Sequence, residues 1–262
     1  MFGFLATNAI TFPSPLIEIS EFPNLSYVTL ADNTNLTNLQ ISELSNLHTL
    51  IIDRNEGLYK IQNSSVTDSS FGIVTVHGSY PRDWPEKGFE WTQALKILVE
   101  IHRPVWWLRH DWNDCPEVTS QRLAIAIDSL KIKRGYLDQV YVIGHSLGGL
   151  VVSDLAEKWN SNLKLTIHAI AAPLSHYSER LNSCEVRGKE KYTFSEYVDY
   201  VQWRTSKYID GAFKHLEKDP QNVDLINGDY ILLPEEWNGK RLGHNLSIQL
   251  VVDQFLDKIN LF

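Results

Sequence analysis

Residues 139–149 read QVYVIGHSLGG, an apolar run, then a Gly-x-Ser-x-Gly turn, then the start of an amphipathic stretch. Residues 139–143 suit a buried strand, and after the turn Leu147, Leu150, Val151, Leu155 and Trp159 recur at helical spacing. A strand that feeds straight into a helix must bend sharply. Such a bend lifts Ser146 above the sheet, and side chains at Gly144 or Gly148 would collide with neighbouring backbone. This context makes Ser146 a candidate nucleophile rather than an incidental serine in a glycine-rich loop.

On either side of this stretch, apolar runs at 71–76, 105–108, 165–171, 200–204 and 230–233 read as further strands. Between them lie helical stripes: Trp91, Ala94, Leu95 and Leu98; then Leu123, Ala126, Ile127 and Leu130. A closing helix carries Ile248, Val251, Val252, Phe255, Leu256 and Ile259. Short continuous strands alternating with helices predict an α/β fold, a mostly parallel sheet of about six strands with helices on both faces. Sites on such sheets sit at the carboxyl ends of strands, where the Ser146 turn falls.

Composition narrows the function. The chain has 262 residues, 43% hydrophobic and 21% charged, with a formal charge of −8. That acidic balance offers no basic footprint for nucleic acid. No apolar run approaches the ~20 residues of a transmembrane helix. There is no His-Glu-x-x-His pattern, phosphate loop or dinucleotide fingerprint, so neither a metal nor an organic cofactor is implied. His110, Asp111 and Asp114 read as a polar loop. Cys115 and Cys184 are too few for a disulfide framework or a thiolate metal site. With no charged amino-terminal stretch of the secretory kind, they lean the reading toward a reducing, cytoplasmic setting.

The first 65 residues differ in character. Leu25-x-x-Val28-x-Leu30-x-x-Asn33 is matched twenty-two residues on by Leu47-x-x-Leu50-x-Ile52-x-x-Asn55. Leu36 and Leu39 are matched by Leu58 and Ile61, and an earlier partial copy supplies Ile17, Ile19 and Phe22. This pattern resembles a leucine-rich repeat segment over 12–62, giving a division into 1–65 and a main domain over 66–262. So few repeats must lean on a neighbour, so they either cap that domain or bind a protein partner.

Residues 66–262, with Gly144-His145-Ser146-Leu147-Gly148-Gly149, resemble the α/β-hydrolase family of lipases and esterases. His77-Gly78-Ser79 sits after the first strand, where that fold carries its oxyanion loop. Together with Trp84, Trp112, Asn113 and Arg122, these residues are similar to the lipase and serine-esterase group that includes PGAP-one-like enzymes. Relative to larger hydrolases the strand count lacks two leading strands, an edge the repeats are expected to cover.

A serine hydroxyl needs a base, and the base an orienting carboxylate. In this fold the chain order is Ser, acid, His. Of the histidines after Ser146, His168 falls in a strand, His176 in an irregular stretch and His215 soon after 200–204. His244 directly precedes the closing helix and is the expected base. Asp210, first in the loop after 200–204, is the expected acid, with Asp219 the runner-up. The N–H groups of Leu147 and Ser79 are the expected oxyanion donors, the second open to Gly78 or Tyr80 instead. His145 receives no role. Trp106, Trp107 and Trp203 read as core, and the irregular segments 80–89 and 174–197 as a lid or acyl wall. The function expected is hydrolysis of carboxylic esters of lipid or other hydrophobic acyl compounds. An acyltransferase with the same residues, or a silent fold serving as an interaction module, are the alternatives.

Overall fold

The computed structural model describes residues 52, 56–61, 70–82, 84, 87–134, 137–175, 181–187 and 189–259. Five parallel strands alternate with helices: β2 (Phe71–Val76), α1 (Thr92–Glu100), β3 (Val105–Arg109), α2 (Pro116–Arg134), β4 (Gln139–His145), α3 (Leu147–Lys158), β5 (Lys164–Ile170) and β7 (Val198–Arg204). A short strand β6 (Lys191–Thr193) precedes β7 and pairs with β8 (Asp224–Ile226) outside the main sheet. Then β9 (Asp229–Leu232) extends that sheet beside β7, and the hairpin β10 (Glu236–Trp237) and β11 (Lys240–Arg241) leads to α4 (Leu246–Ile259).

The two-residue period of the strands separates two cores. Val74, Val76, Trp106, Leu108, Val140, Val142, Leu165 and Ile167 face α2 and α3. Ile73, Val105, Trp107, Ile143 and Ile170 face the other way, toward α1 and α4. The tryptophans expected in the core are there: Trp106, Trp107 and Trp203 are buried. Pro116 opens α2, where its missing N–H is no loss because the first N–H groups of a helix have no partner. Among the described residues, no helix is long and apolar enough to cross a membrane.

Strand order is β1-β3-β2-β4-β5-β7-β9, seven strands against the expected six. The extra one is β1 (Gly57–Ile61), antiparallel to β3, with Gly57 opposite Arg109 and Ile61 opposite Val105. Its Leu58 and Ile61 are the apolar positions that the sequence reading gave to the second repeat. Three residues apart, Leu58 and Ile61 face opposite sides of the sheet, and their spacing does not name the pairing partner. Ile52, also buried, accepts a hydrogen bond at its carbonyl from Arg109 Nε, and Glu56 pairs with Arg122 at 2.7 Å. The rest of the repeat pattern, Asn33 and Asn55 included, lies outside the described residues. So does His176.

The cysteines correct an expectation. Cys115 and Cys184, Cα atoms 5.4 Å apart, form a disulfide across a separation of 69 residues. Sequence distance hid a contact that the fold makes, since α2 begins beside the long excursion after β5. The lean toward a reducing setting therefore loses its cysteine premise. A bridge closing so long a loop restricts the unfolded chain. Replacing both cysteines by serine is expected to lower the unfolding free energy by about 2–4 kcal/mol in urea denaturation. A double variant as stable as the wild type would show that the bridge adds nothing.

Candidate active site

Between β4 and α3 the backbone turns at Ser146 with φ 55° and ψ −120°, a region that non-glycine residues rarely occupy. The turn is held by Ser146 N–H donating to the Ile170 carbonyl of β5 at 2.9 Å. It is that tight because α3 lies almost against the strands. A Cβ on Gly148 would stand 2.3 Å from the Val76 carbonyl oxygen and 2.4 Å from that of His77, and one on Gly144 would stand 2.4 Å from the Gly148 carbonyl oxygen. Leu147 is the first residue of α3, so its N–H is among those with no partner inside the helix.

The loop after β2 meets this turn. A Cβ on Gly78 would lie 3.0 Å from Ser146 Cβ, which fixes how near the two backbones run. His77 sets the direction of the following peptide: its Nδ1–H donates to the Gly78 carbonyl at 2.7 Å. Its Nε2 faces His110 N–H at 3.4 Å, and His110 Nε2 donates back to the His77 carbonyl at 2.9 Å, tautomers assigned from these partners. The rings stack 4.2 Å apart. Burial, and then the neighbouring imidazole, hold His77 well below the usual histidine range, and burial lowers His110 to about 4. Both stay neutral. Because a trans peptide is planar, pointing the Gly78 carbonyl at His77 turns the Ser79 N–H away from that ring.

His244 stands two residues before α4, with its Nδ1 3.0 Å from Asp210 Oδ2. Asp210 is fully buried in the loop after β7. Its Oδ2 also accepts from Thr205 Oγ1 at 2.5 Å, and its Oδ1 from Ala212 N–H at 2.8 Å. Burial alone would raise this carboxyl, but the hydrogen bond and charge of His244, with the Thr205 and Ala212 donors, outweigh it and hold it below the ordinary aspartate range. Asp219, the runner-up, instead caps its own turn by accepting from Gln221 N–H at 3.0 Å. His215 is exposed and His168 accepts from Trp203 Nε1 within the core.

Ser146, Ser79 and His244 line one cavity of about 710 Å³, together with Gly78, Tyr80, Pro81, Trp84, Glu90, His145 and Leu246. Of the two irregular segments expected near the site, 80–89 contributes to this wall. The described part of 174–197 does not line it, and there Cys184, Val186, Tyr192 and Phe194 join the core.

Two side chains here carried no sequence signal. His145 is buried behind His244, its Nε2–H donating to the His244 carbonyl at 3.0 Å and its ring 4.6 Å from the His244 ring. Ser247 Oγ donates to the same carbonyl at 2.5 Å. Burial, then the charge His244 can carry, pushes His145 well down, so it remains a neutral prop. Glu90 faces the cavity from the 3-10 turn Phe89–Trp91. Of the polar loop, His110 packs on His77, while Asp111 and Asp114 do not line the cavity and lie beside Arg122 and Glu56.

No family model and no curated protein matches the chain. Solved structures do. The LpqC poly(3-hydroxybutyrate) depolymerase from Bordetella parapertussis superposes with a TM-score of 0.51 at 15% identity, over 79% of this chain and 87% of that one. Est1E from Butyrivibrio proteoclasticus matches at 0.49 and 12% identity, over 78% and 94%. The Pyrococcus furiosus esterase Pf2001 matches at 0.47 and 13% identity, over 85% and 93%. The likeness to the depolymerase is one of fold, and the fold is that of the α/β-hydrolases. No finding supports the protein partner expected of the repeats.

The depressed Asp210 carboxyl has a measurable sign. Its contribution to stability is complete above the unfolded aspartate value of about 3.9 and is lost as pH falls through the lower folded value. Between pH 6 and the acid limit, the wild type is therefore expected to lose more unfolding free energy than Asp210→Asn. Parallel losses would remove the carboxylate from the account.

Proposed function

We propose that this chain is a serine hydrolase of carboxylic esters, acting through an acyl-enzyme on Ser146. The observation that carries the reading is the hydrogen bond from His244 Nδ1 to buried Asp210, in the cavity that Ser146 lines. A carboxylate so placed fixes the tautomer of the imidazole with a lone pair on Nε2 and stabilises the imidazolium once it forms. In the first half-reaction His244 takes the Ser146 proton as Oγ attacks the ester carbonyl carbon. The tetrahedral oxyanion is held by Leu147 N–H at the start of α3 and by Ser79 N–H. The carbonyl re-forms as the C–O bond breaks, and the alkoxide leaves with the proton from His244. Water repeats the sequence on the acyl-enzyme and restores free Ser146.

The positive φ at Ser146 and the clearances around Gly144 and Gly148 support the reading, because strained backbone collects at functional sites. The superposed poly(3-hydroxybutyrate) depolymerase, by its name, acts on a polyester, which is consistent with this chemistry. The acyl part proposed is hydrophobic, since Tyr80, Pro81, Trp84 and Leu246 form much of the wall.

A fluorophosphonate probe tests the proposal. Wild type is expected to be labelled, while Ser146→Ala is not and His244→Ala is almost silent, with turnover falling by roughly a million-fold in each. Asp210→Asn should reduce kcat by about 10⁴-fold, and Asp219→Asn by only a few-fold. Equal effects of the two asparagine variants would reject the assignment of the acid.

A further inference from the structure

The wall of the cavity that Ser146 lines is not uniformly apolar. Trp84, 45% exposed, and Pro81 and Leu246 offer hydrocarbon and aromatic surface, and among them Glu90 presents a carboxyl group. Its position is fixed rather than fortuitous. The next residue, Trp91, is wholly buried, donates its N–H to the Gly88 carbonyl at 3.0 Å and sets its ring edge-on to Trp107 at 5.5 Å. The neighbouring anchor leaves the Glu90 side chain little choice but the cavity.

Tyr80 holds the carboxyl in place by donating its hydroxyl to Glu90 Oε1 at 2.5 Å. Burial and the Glu90 charge both raise the Tyr80 hydroxyl, so it stays a donor. Burial also raises Glu90, against the pull of Tyr80, of the Glu90 and Gly88 backbone N–H groups and of the charge that His244 can carry. A carboxylate has about four lone-pair directions, and Tyr80 with the backbone of the same turn occupies part of them, which leaves room for a donor from the cavity. Keeping such a group on the wall of a partly dehydrated cavity is costly unless something satisfies it. A wall built for alkyl chains alone would gain from an aliphatic residue here.

We infer that Glu90, steadied by Tyr80, receives a hydrogen-bond donor of the substrate, so that the favoured ester bears a hydroxyl or ammonium group where it lies against this wall. The inference rests on the hydrolase reading and adds to it the substrate class, an amphiphilic ester in place of a plain hydrocarbon one. Glu90 is then a specificity determinant, and it takes no proton from Ser146.

The test pairs near-isosteric esters. On the acyl side these are methyl heptanoate, methyl 6-hydroxyhexanoate and methyl 6-aminohexanoate. On the alcohol side they are propyl and 2-hydroxyethyl butyrate. Wild type is expected to show kcat/KM about ten-fold or more higher for a donor-bearing ester than for its alkyl partner on at least one side, the worth of one well-placed hydrogen bond. Glu90→Leu should erase that ratio. Glu90→Gln keeps an acceptor without the charge, so it should retain a preference for hydroxyl and lose one for ammonium, which separates the two donors. A Glu90 that merely pins Tyr80 would change all the esters alike and leave their ratios intact, and that outcome overturns the inference. So does a wild type that treats donor and alkyl esters equally, or hydrolyses neither, while its Ser146 accepts the fluorophosphonate. Failure of a folded wild type to accept the probe sinks the hydrolase reading itself, and the two failures are thereby distinguishable.

Discussion

The close approach of α3 to the sheet governs this molecule. Gly148 leaves room for the Val76 and His77 carbonyls, and Gly149 sits where a Cβ would be 2.6 Å from that of Ala172, so the first turn of the helix rests between β2 and β5. Everything at the site is arranged around that contact. It forces the backbone at Ser146 into positive φ, brings Gly78 alongside, and lets the Ile170 carbonyl receive the Ser146 N–H. A helix standing a methyl group further away would relieve the turn and separate the loop of β2 from the serine it now touches.

Around this turn the histidines divide into two kinds. His77, His110 and His145 are buried and held neutral chiefly by that burial, and each donates to a backbone carbonyl: Gly78, His77 and His244 respectively. They act as aromatic struts with one directed proton. His244 alone among these four faces a carboxylate, and it is the one whose Nδ1 contact with Asp210 is backed by Thr205 and Ala212. Neutral neighbours matter to such a residue, because no adjacent imidazolium opposes the charge it must carry.

The parts of this design visible in the sequence were those written locally. Strand β2 could be read residue for residue, since a buried parallel strand is a continuous apolar run between polar breaks, and the Gly144 to Gly149 turn announces itself by composition. Boundaries of β4 and β7 shifted by two residues because His145 and Val198 lie at ends where polarity is no guide. Asp210 and Asp219 were not separable by spacing alone, as both follow β7, and only the tertiary path of the loop brings one of them to His244. The contacts of Cys115 with Cys184, of His145 with His244 and of Tyr80 with Glu90 are made by folding and leave no periodic trace. Strand β1 was visible as an apolar pattern, but that pattern does not name β3 as its antiparallel partner.

The reversed direction of β1 decides where the chain enters. Because Gly57 lies opposite Arg109, the end of β3, the polypeptide reaches the sheet from the side that carries Ser146, and Ile52 is fastened there by Arg109. The closing helix does the opposite. It starts just after His244 and runs fourteen residues away, so Ile259 ends about 20 Å along its axis from the cavity. A carrier coupled at the Ile259 end of this helix therefore stands clear of the cavity and leaves it open to substrate.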